Sequence, residues 1–507
     1  MLRDKQKRLP HSLFSLFILV LAIAHVPIYA ELTSLAKNDA LPPFSTLNLD
    51  DALLLTREQL FYKDVDWAER KHNRFRFSIS PFAQNADRGK TIRGQSCDIP
   101  LVDNCDMTLT DTPLGDLTGR TGMIALLYTV ENAEGESLYP NGETDPEIAL
   151  ANMPTLLDAY NNLFPLQCEG DDCQINQGLN QEGNIDPQQA YGFFSFPLKY
   201  RKRGVRFEMA GLISKNFGIR AQTGVSTIRQ VREETIDLTK CNPTAACDKT
   251  FTPVTDTLSI DNVENFLMDQ LDVIANEMGY NMCDFIKTSL EEIRFNIFWR
   301  QAFEVNSDLD SDWAKFLLIP YVEVGASVSP GKKDNQHCFF GAPFGNNTHP
   351  SIGFTTGLNF DFLETIEIGG EVGYTHFFKR DFCMPIPNNK FQTNLYPFTT
   401  NVSVSPGDNW FFGARLAAYH FIDKLSMYFE WFVLDHQKDE ICLVNPDPAF
   451  VPSVLECASS FKTKLGNVGF NYDLSPNIGI GFLWQIPFSQ RNSYRSSTLM
   501  GGFNVTF

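Results

Sequence analysis

Leu499-Met500-Gly501-Gly502-Phe503-Asn504-Val505-Thr506-Phe507 closes the chain, and its side chains sort into two sets. Leu499, Gly501, Phe503, Val505 and Phe507 share one face, and Gly502, Asn504 and Thr506 share the other. Successive side chains of a strand point to opposite faces, so this spacing reads as a strand with one apolar and one small or polar face. Working backwards, Ile478, Ile480, Phe482, Trp484 and Ile486 alternate with Gly479, Gly481 and Gln485. Leu425, Met427, Phe429, Trp431 and Val433 alternate with Ser426, Tyr428 and Glu430. The 43 Phe, against 6 Trp and 15 Tyr, are many for a soluble chain of 507 residues, and they gather in these alternating runs.

The same period places strands near 72–83, 198–213, 217–230, 291–303, 313–328, 349–362, 364–377, 408–421, 425–437, 459–472, 477–488 and 496–507, twelve in all. The connections test that count. Long ones follow the odd strands, at 84–197, 231–290, 329–348, 378–407 and 438–458, with a shorter 489–495. Short ones follow the even strands, such as Lys215-Asn216, Asp423-Lys424 and Ser475-Pro476-Asn477, the longest being 304–312. Short turns at one end and long loops at the other are the habit of membrane-spanning β-barrels. Splitting 191–213 into a hairpin at Gly204 would break this parity, so one long strand is expected there. A soluble all-β protein with one buried face gives similar alternation, but neither the loop parity nor the aromatic last residue.

The chain's ending resembles the signature by which bacterial outer-membrane proteins are recognised for insertion, carried here by Phe503, Val505 and Phe507. The resemblance implies an all-β fold: a transmembrane antiparallel up-and-down barrel of about twelve strands, with short helices in its long outer loops. It also implies the barrel-insertion machinery and outer-membrane lipid as partners. The other chain end agrees. Arg3, Lys5, Lys7 and Arg8 precede an apolar stretch at 13–24 and then Ile28-Tyr29-Ala30, the order of a secretory signal cleaved after Ala30. Export through a Gram-negative cytoplasmic membrane follows, with 1–30 as signal peptide, 31–71 as a periplasmic segment or an inward-folded plug, and 72–507 as barrel. Residues 50–60 read as a short Asp-capped helix within that segment. The apolar stretch is shorter than the roughly 18 residues a membrane helix needs, and no later stretch reaches that length.

The formal charge of −19, from 42 Lys and Arg against 61 Asp and Glu, argues against nucleic-acid binding and suits acidic external loops. Removing 1–30 makes the chain more acidic, since it carries away four basic residues and only Asp4.

The 11 cysteines fit an oxidising compartment, where disulfides persist. Cys97, Cys105, Cys168 and Cys173 share the first outer loop, Cys241, Cys247 and Cys283 the second, and Cys442 and Cys457 the fifth. Local pairing would staple each loop, and Cys338 could join Cys383 across the rim, leaving Cys283 over. No pair has the spacing of a zinc site, and no His cluster accompanies them. Asp308, Asp310 and Asp312 begin like a calcium loop, but Trp313 and Ile319 occupy the positions of the required Gly and Glu. No metal or cofactor is expected. The second loop also holds a helical stretch with Val263, Phe266, Leu267, Leu271, Ile274 and Met278 on one face. It either narrows the lumen or packs with the helix-prone 153–164 into an external cap, the cap being preferred.

Face assignment by alternation gives a charge map. Inward positions of the first four strands include Arg74, Arg76, Arg206, Arg220, Arg294 and Arg300, with Glu208 as the exception. Those of strands five to nine include Glu323, Asp361, Glu367, Glu371 and Glu430, with Arg415 as the exception. A basic wall facing an acidic one would lay a field across a water-filled lumen, and walls of charge select ions and polar solutes. In smaller barrels such residues instead pair and fill the interior. Outer-membrane phospholipases place a Ser/His pair on the lipid-facing side, and His376 and His420 fall on outward positions here. No Ser and orienting group stand at matching spacing, and Ser459-x-x-Lys462 lies at a strand start, so no enzyme is expected.

The sequence therefore resembles a porin-like outer-membrane barrel, which implies passive passage of small hydrophilic solutes or ions past disulfide-stapled loops. The alternative is a surface adhesin or structural protein, with the barrel anchoring the long first loop.

Overall fold

The computed structural model describes residues 75–90, 112–117, 121–131, 137–163, 166–169, 172–175, 193–214, 216–237, 266–304, 316–330, 338–362, 365–422 and 424–507. Arg74, the segment at 1–71, the acidic turn at 308–312 and Cys97, Cys105, Cys241 and Cys247 lie outside them, as do the side chains of Cys168 and Cys173.

Twelve antiparallel strands form one closed ring. They are β1 (Phe75–Ala86), β2 (Leu198–Leu212), β3 (Phe217–Arg232), β4 (Phe285–Leu290 continued by Ile293–Arg300), β5 (Phe316–Val328) and β6 (Ser351–Phe362). The rest are β7 (Ile366–Phe377), β8 (Asn409–Ile422), β9 (Leu425–His436), β10 (Phe461–Ser475), β11 (Ile478–Arg491) and β12 (Ser497–Thr506). Each strand pairs with its chain neighbours, and β12 returns to β1, with Met500 opposite Phe82 and Thr506 opposite Arg76. The last residue completes the seam: Phe507 N–H donates to Phe75 O at 2.8 Å, and Phe75 N–H to Phe507 O at 3.2 Å. No helix among the described residues is long and apolar enough to cross a membrane.

The outward positions carry Met209, Ile219, Phe295, Ile297, Val324, Ile368, Phe412, Leu416, Phe429, Trp431, Phe482, Trp484, Leu499 and Phe503, all exposed. Such a belt is ruinous in water and required in hydrocarbon, and a closed ring leaves no unpaired strand edge there. The fold is thus the outer-membrane type of barrel that the alternation implies, and β2 runs as a single strand through Gly204. A side chain at Gly204 would collide with the Val225 carbonyl oxygen, 2.4 Å from where a Cβ would sit. The single strand expected from the loop parity is what forms, and the glycine lets β2 and β3 approach closely.

Two irregularities matter inside. First, several inward aromatic rings lie flat against inward glycines of the next strand. Phe411 of β8 covers Gly373 of β7, and Tyr321 of β5 covers Gly357 of β6. A glycine has no side chain to push the ring away, so the ring follows the wall instead of crossing the lumen. Second, β4 is interrupted at Glu291-Glu292, where both carboxylates turn inward and both residues are fully buried. Strict alternation would have sent one of them to lipid.

The long loops gather over one end. Helix α1 (Pro154–Leu163) of the first loop packs on helix α2 (Leu271–Glu277) of the second. Leu156, Ala159 and Tyr160 meet Leu271, Ile274 and Ala275 in one apolar cluster. Glu277 accepts from both the hydroxyl and the N–H of Thr155, at 2.6 and 3.2 Å, which fixes the α1 start against the α2 end. The cluster also takes in Phe339, Phe340 and Phe344 from the third loop, Leu395 from the fourth, and Tyr200 and Ile228 from the barrel mouth. These loops therefore form a cap seated on the mouth. The fourth and fifth loops add a three-stranded sheet, Arg380–Pro385, Thr399–Ser405 and Glu440–Leu443, backed by helix α3 (Ser453–Ser459). Its own core contains Phe382, Val402, Val404, Ile441, Phe450 and Leu455.

Gly373→Val should force the Phe411 ring off the wall and lower stability by about 1–3 kcal/mol through overpacking. Thermal unfolding in detergent measures this; a melting curve like that of the unaltered protein would show that the ring does not depend on the glycine.

Candidate functional site

The interior of the ring is the site that this architecture offers, and its chemistry follows from which side chains point in. On β1, β2 and β3 the inward set includes Arg76, Lys202, Arg206, Glu208, Arg220 and Gln222, each 4 % exposed or less. Charges held out of water persist only when compensated, and these are. Arg76 Nη2 lies 2.6 Å from Glu208 Oε1, and Gln222 Nε2 donates to Glu208 Oε2 at 2.8 Å. Arg220 reaches Glu208 at 3.7 Å on one side and Glu323 of β5 at 3.0 Å on the other. Asn296 of β4 also donates to Glu323. One chain of contacts thus links five neighbouring strands.

The interrupted β4 holds a second cluster. Glu291 accepts from Arg206 Nε at 2.7 Å and lies 3.0 Å from Lys202 Nζ. The Arg206 guanidinium also stacks over the Phe82 ring at 4.6 Å. Glu292 turns to the other side, 2.6 Å from Arg294 Nη2, and receives the Ser327 hydroxyl.

Across the lumen the groups are arranged more loosely. Tyr321 donates its phenol to Glu371 at 2.6 Å, and Asn467 donates to Glu430 at 2.9 Å. Arg415 of β8 approaches Glu367 of β7 at 3.7 Å and donates to the Tyr419 phenol oxygen at 2.8 Å. Arg300 and Asp361 are buried on the same inward face.

Every described residue that alternation places inward does point inward, but the arrangement is more even than two opposed walls. Glu208, Glu291 and Glu292 stand among the arginines of β1 to β4 and bind five of the cations there. Glu291, Glu292 and Lys202 went unread in the sequence. Lys202 shares parity with Arg206, and Glu292 with Arg294, so alternation reaches both; Glu291 keeps the phase of Phe285–Leu290 before the break and escapes it.

A small polar cavity of about 50 Å3 lies in the loop-end half of the lumen. Arg294, Asn296, Glu323, Ser327, Ser351 and Thr375 line it. Hydroxyl, amide, guanidinium and carboxylate groups share this space, so it can hold water, ions or small hydrogen-bonding solutes.

At the membrane rims, His376 Nδ1 bonds Asp408 at 2.8 Å and His420 Nε2 bonds Asp473 at 2.9 Å. Tyr374 donates to the same Asp408 at 2.6 Å beside Trp410, which gives that rim an anchored aromatic group. Ser459 donates to Glu456 O and accepts from Asp439 N–H, whereas Lys462 pairs with Asp435, so the two side chains of the Ser459-x-x-Lys462 pattern bond to different partners. Phe503 and Val505 face outward on β12, and Phe507 holds the seam.

The cysteines sit differently from the local scheme. Cys283, Cys338, Cys383 and Cys442 carry thiols, whereas Cys457 is in a disulfide, so its partner is a cysteine other than Cys442. Cys442 lies in the loop sheet opposite Ser403, and Cys457 on α3. Cys338 stands beside Cys283, the cysteine expected to be left over, and not beside Cys383.

No family model and no curated protein sequence matches the chain. Among solved structures, it is similar to an outer membrane channel from Pseudomonas putida F1, at 6% identity and a TM-score of 0.39, with 86% of this chain and 96% of that one covered. It is similar to the translocator domain of the autotransporter NalP from Neisseria meningitidis, at 8% identity and a TM-score of 0.32, covering 91% and 99%. The toluene transporter TbuX from Ralstonia pickettii follows at 10% identity and a TM-score of 0.29, covering 86% and 90%. The assignment as a barrel rests on the closed ring itself.

Glu291→Gln should leave Lys202 and Arg206 buried without their counter-charge and cost about 3–5 kcal/mol. Denaturant unfolding in detergent reads this; unchanged stability would mean that the two cations are compensated elsewhere.

Proposed function

We propose that this barrel is a passive outer-membrane channel for small hydrophilic solutes or ions, delivered by the signal at 1–30. The observation that carries the reading is the polar cavity in the loop-end half of the lumen, lined by Arg294, Asn296, Glu323, Ser327, Ser351 and Thr375. Aromatic rings folded against glycines keep bulk off the wall beside it. Fixed charges at close quarters would then favour ions and polar solutes over apolar ones. Arg294 is the cation best placed to act on a passing solute, since it lines the cavity and keeps part of its side chain in solvent. The transverse-field account takes a milder form, because the buried pairs cancel much of each wall's charge. The cap seated on the mouth restricts the approach.

A second reading has its own support. The cap has an apolar core, and the fourth and fifth loops build a separate small sheet with a core of its own. Loops organised to that degree suit an adhesin or structural role with the barrel as anchor.

Single-channel recording of the purified protein in a planar bilayer separates the two. Stable ohmic steps are expected, and Arg294→Gln should shift the reversal potential toward cation preference. An unshifted potential would remove the charge-lined account, and electrical silence would favour the anchor.

A further inference from the structure

Cys283 and Cys338 come from different loops, 55 positions apart, and their sulfur atoms lie 3.4 Å from each other. The Cys338 thiol also donates to the Cys283 carbonyl oxygen at 3.1 Å. The backbones that carry them are already joined. Asn281 forms an isolated bridge with Cys338, and Phe339 N–H donates to Asn281 O at 2.9 Å. On the inner side the join is packed: Phe339 and Phe340 are fully buried, and the Tyr280 ring meets Phe339 edge-on at 5.6 Å. Two thiols held this way need only rotate their side chains to reach the bonded separation of about 2.05 Å.

We propose that Cys283 and Cys338 are a disulfide site, oxidised on export, that staples the second loop to the third at the edge of the cap. A chain that passes through an oxidising compartment keeps such a neighbouring pair bonded. The oxidant is a small-molecule or protein disulfide. The thiolate of Cys283, the exposed member, attacks one sulfur of that disulfide, forms a mixed disulfide and releases one thiol. Cys338 then loses its proton, attacks the Cys283 sulfur and releases the second thiol. Two electrons and two protons have passed to the oxidant, and one S–S bond joins the loops.

Order of attack follows from the surroundings. Burial, and then the hydrogen bond with Cys283, push the Cys338 thiol up to about 12, so it is a poor first nucleophile. Once Cys283 is in the mixed disulfide, the second of those causes is gone.

The closed segment contains β4 and β5 whole, the two strands whose inner faces supply Arg294, Asn296, Glu323 and Ser327 to the lumenal cavity. A staple at their loop ends therefore holds the cap against that wall. It stands whether the barrel conducts or only anchors.

The full chain, exported to an oxidising compartment and purified without reductant, is treated with an alkylating agent, digested and mapped by mass spectrometry. A peptide pair joining Cys283 to Cys338, which separates on reduction, is expected. Both cysteines alkylated, or either joined to another cysteine, would overturn the site. As a second measurement, reduced protein is exposed to oxidised glutathione. The unaltered chain should gain the joined peptide pair, whereas glutathione retained on Cys283 with Cys338 alkylated would refute the pairing. Reduction should also shift the melting temperature down by less in Cys283→Ala than in the unaltered chain; equal shifts would show that no bond forms there.

Discussion

Backbone hydrogen bonding is the constraint on which the rest of this protein depends. Hydrocarbon offers no partner to an N–H or C=O, so every strand inside it must be paired on both sides. Twelve strands meet that demand only as a ring, and the ring is completed at β1 and β12, where Phe507 and Phe75 exchange hydrogen bonds. The chain must therefore reach its last residue before its first strand is satisfied. Many of the pairings are between chain neighbours; this one spans the whole barrel.

Closure divides the side chains into two solvents. The outer set meets lipid and is largely apolar, with Lys199, Arg201, Arg203 and Arg229 exposed toward the loop ends of β2 and β3. The inner set is polar and confined, which makes each charge there expensive unless it finds a partner. The interior answers with shared contacts. Arg220 lies between Glu208 and Glu323, and Glu291 between Lys202 and Arg206, so that one carboxylate or guanidinium serves two neighbours. Such shared pairs couple adjacent strands through their side chains as well as their backbones. Space survives where glycines take the rings of Phe411 and Tyr321 against the wall, and the cavity beside β4 to β7 is the result.

The loops follow a different logic, because they lie beyond the hydrocarbon and must bury apolar surface as any globular domain does. Leu156, Ile274, Phe339 and Leu395 come from four loops and share one core. That sharing couples the loops to one another, and through Tyr200 and Ile228 to the barrel mouth. Whatever passes or docks at this end meets a packed cap and not four independent segments. Cys283 and Cys338 lie at the edge of that same join.

The sequence by itself determined the barrel, because a side chain period of two has only one structural meaning when the apolar face is unbroken and the connections alternate in length. The strands at 198–213, 364–377 and 425–437 were legible to within a few residues. So was the inward direction of Arg76, Arg206, Arg220, Arg294, Glu323 and Glu430. The amphipathic stretches of the first two loops also signalled a cap. What only the tertiary structure decided is partnership. Glu291 and Glu292 both face inward because β4 breaks there, and a one-residue break reverses phase without leaving a mark in composition. Ion pairing across β3, β4 and β5, the Phe411 ring over Gly373, and Cys283 beside Cys338 all join residues far apart in the chain. Alternation states which face a residue takes. The register and closure of the ring, together with loop packing, state what it meets there.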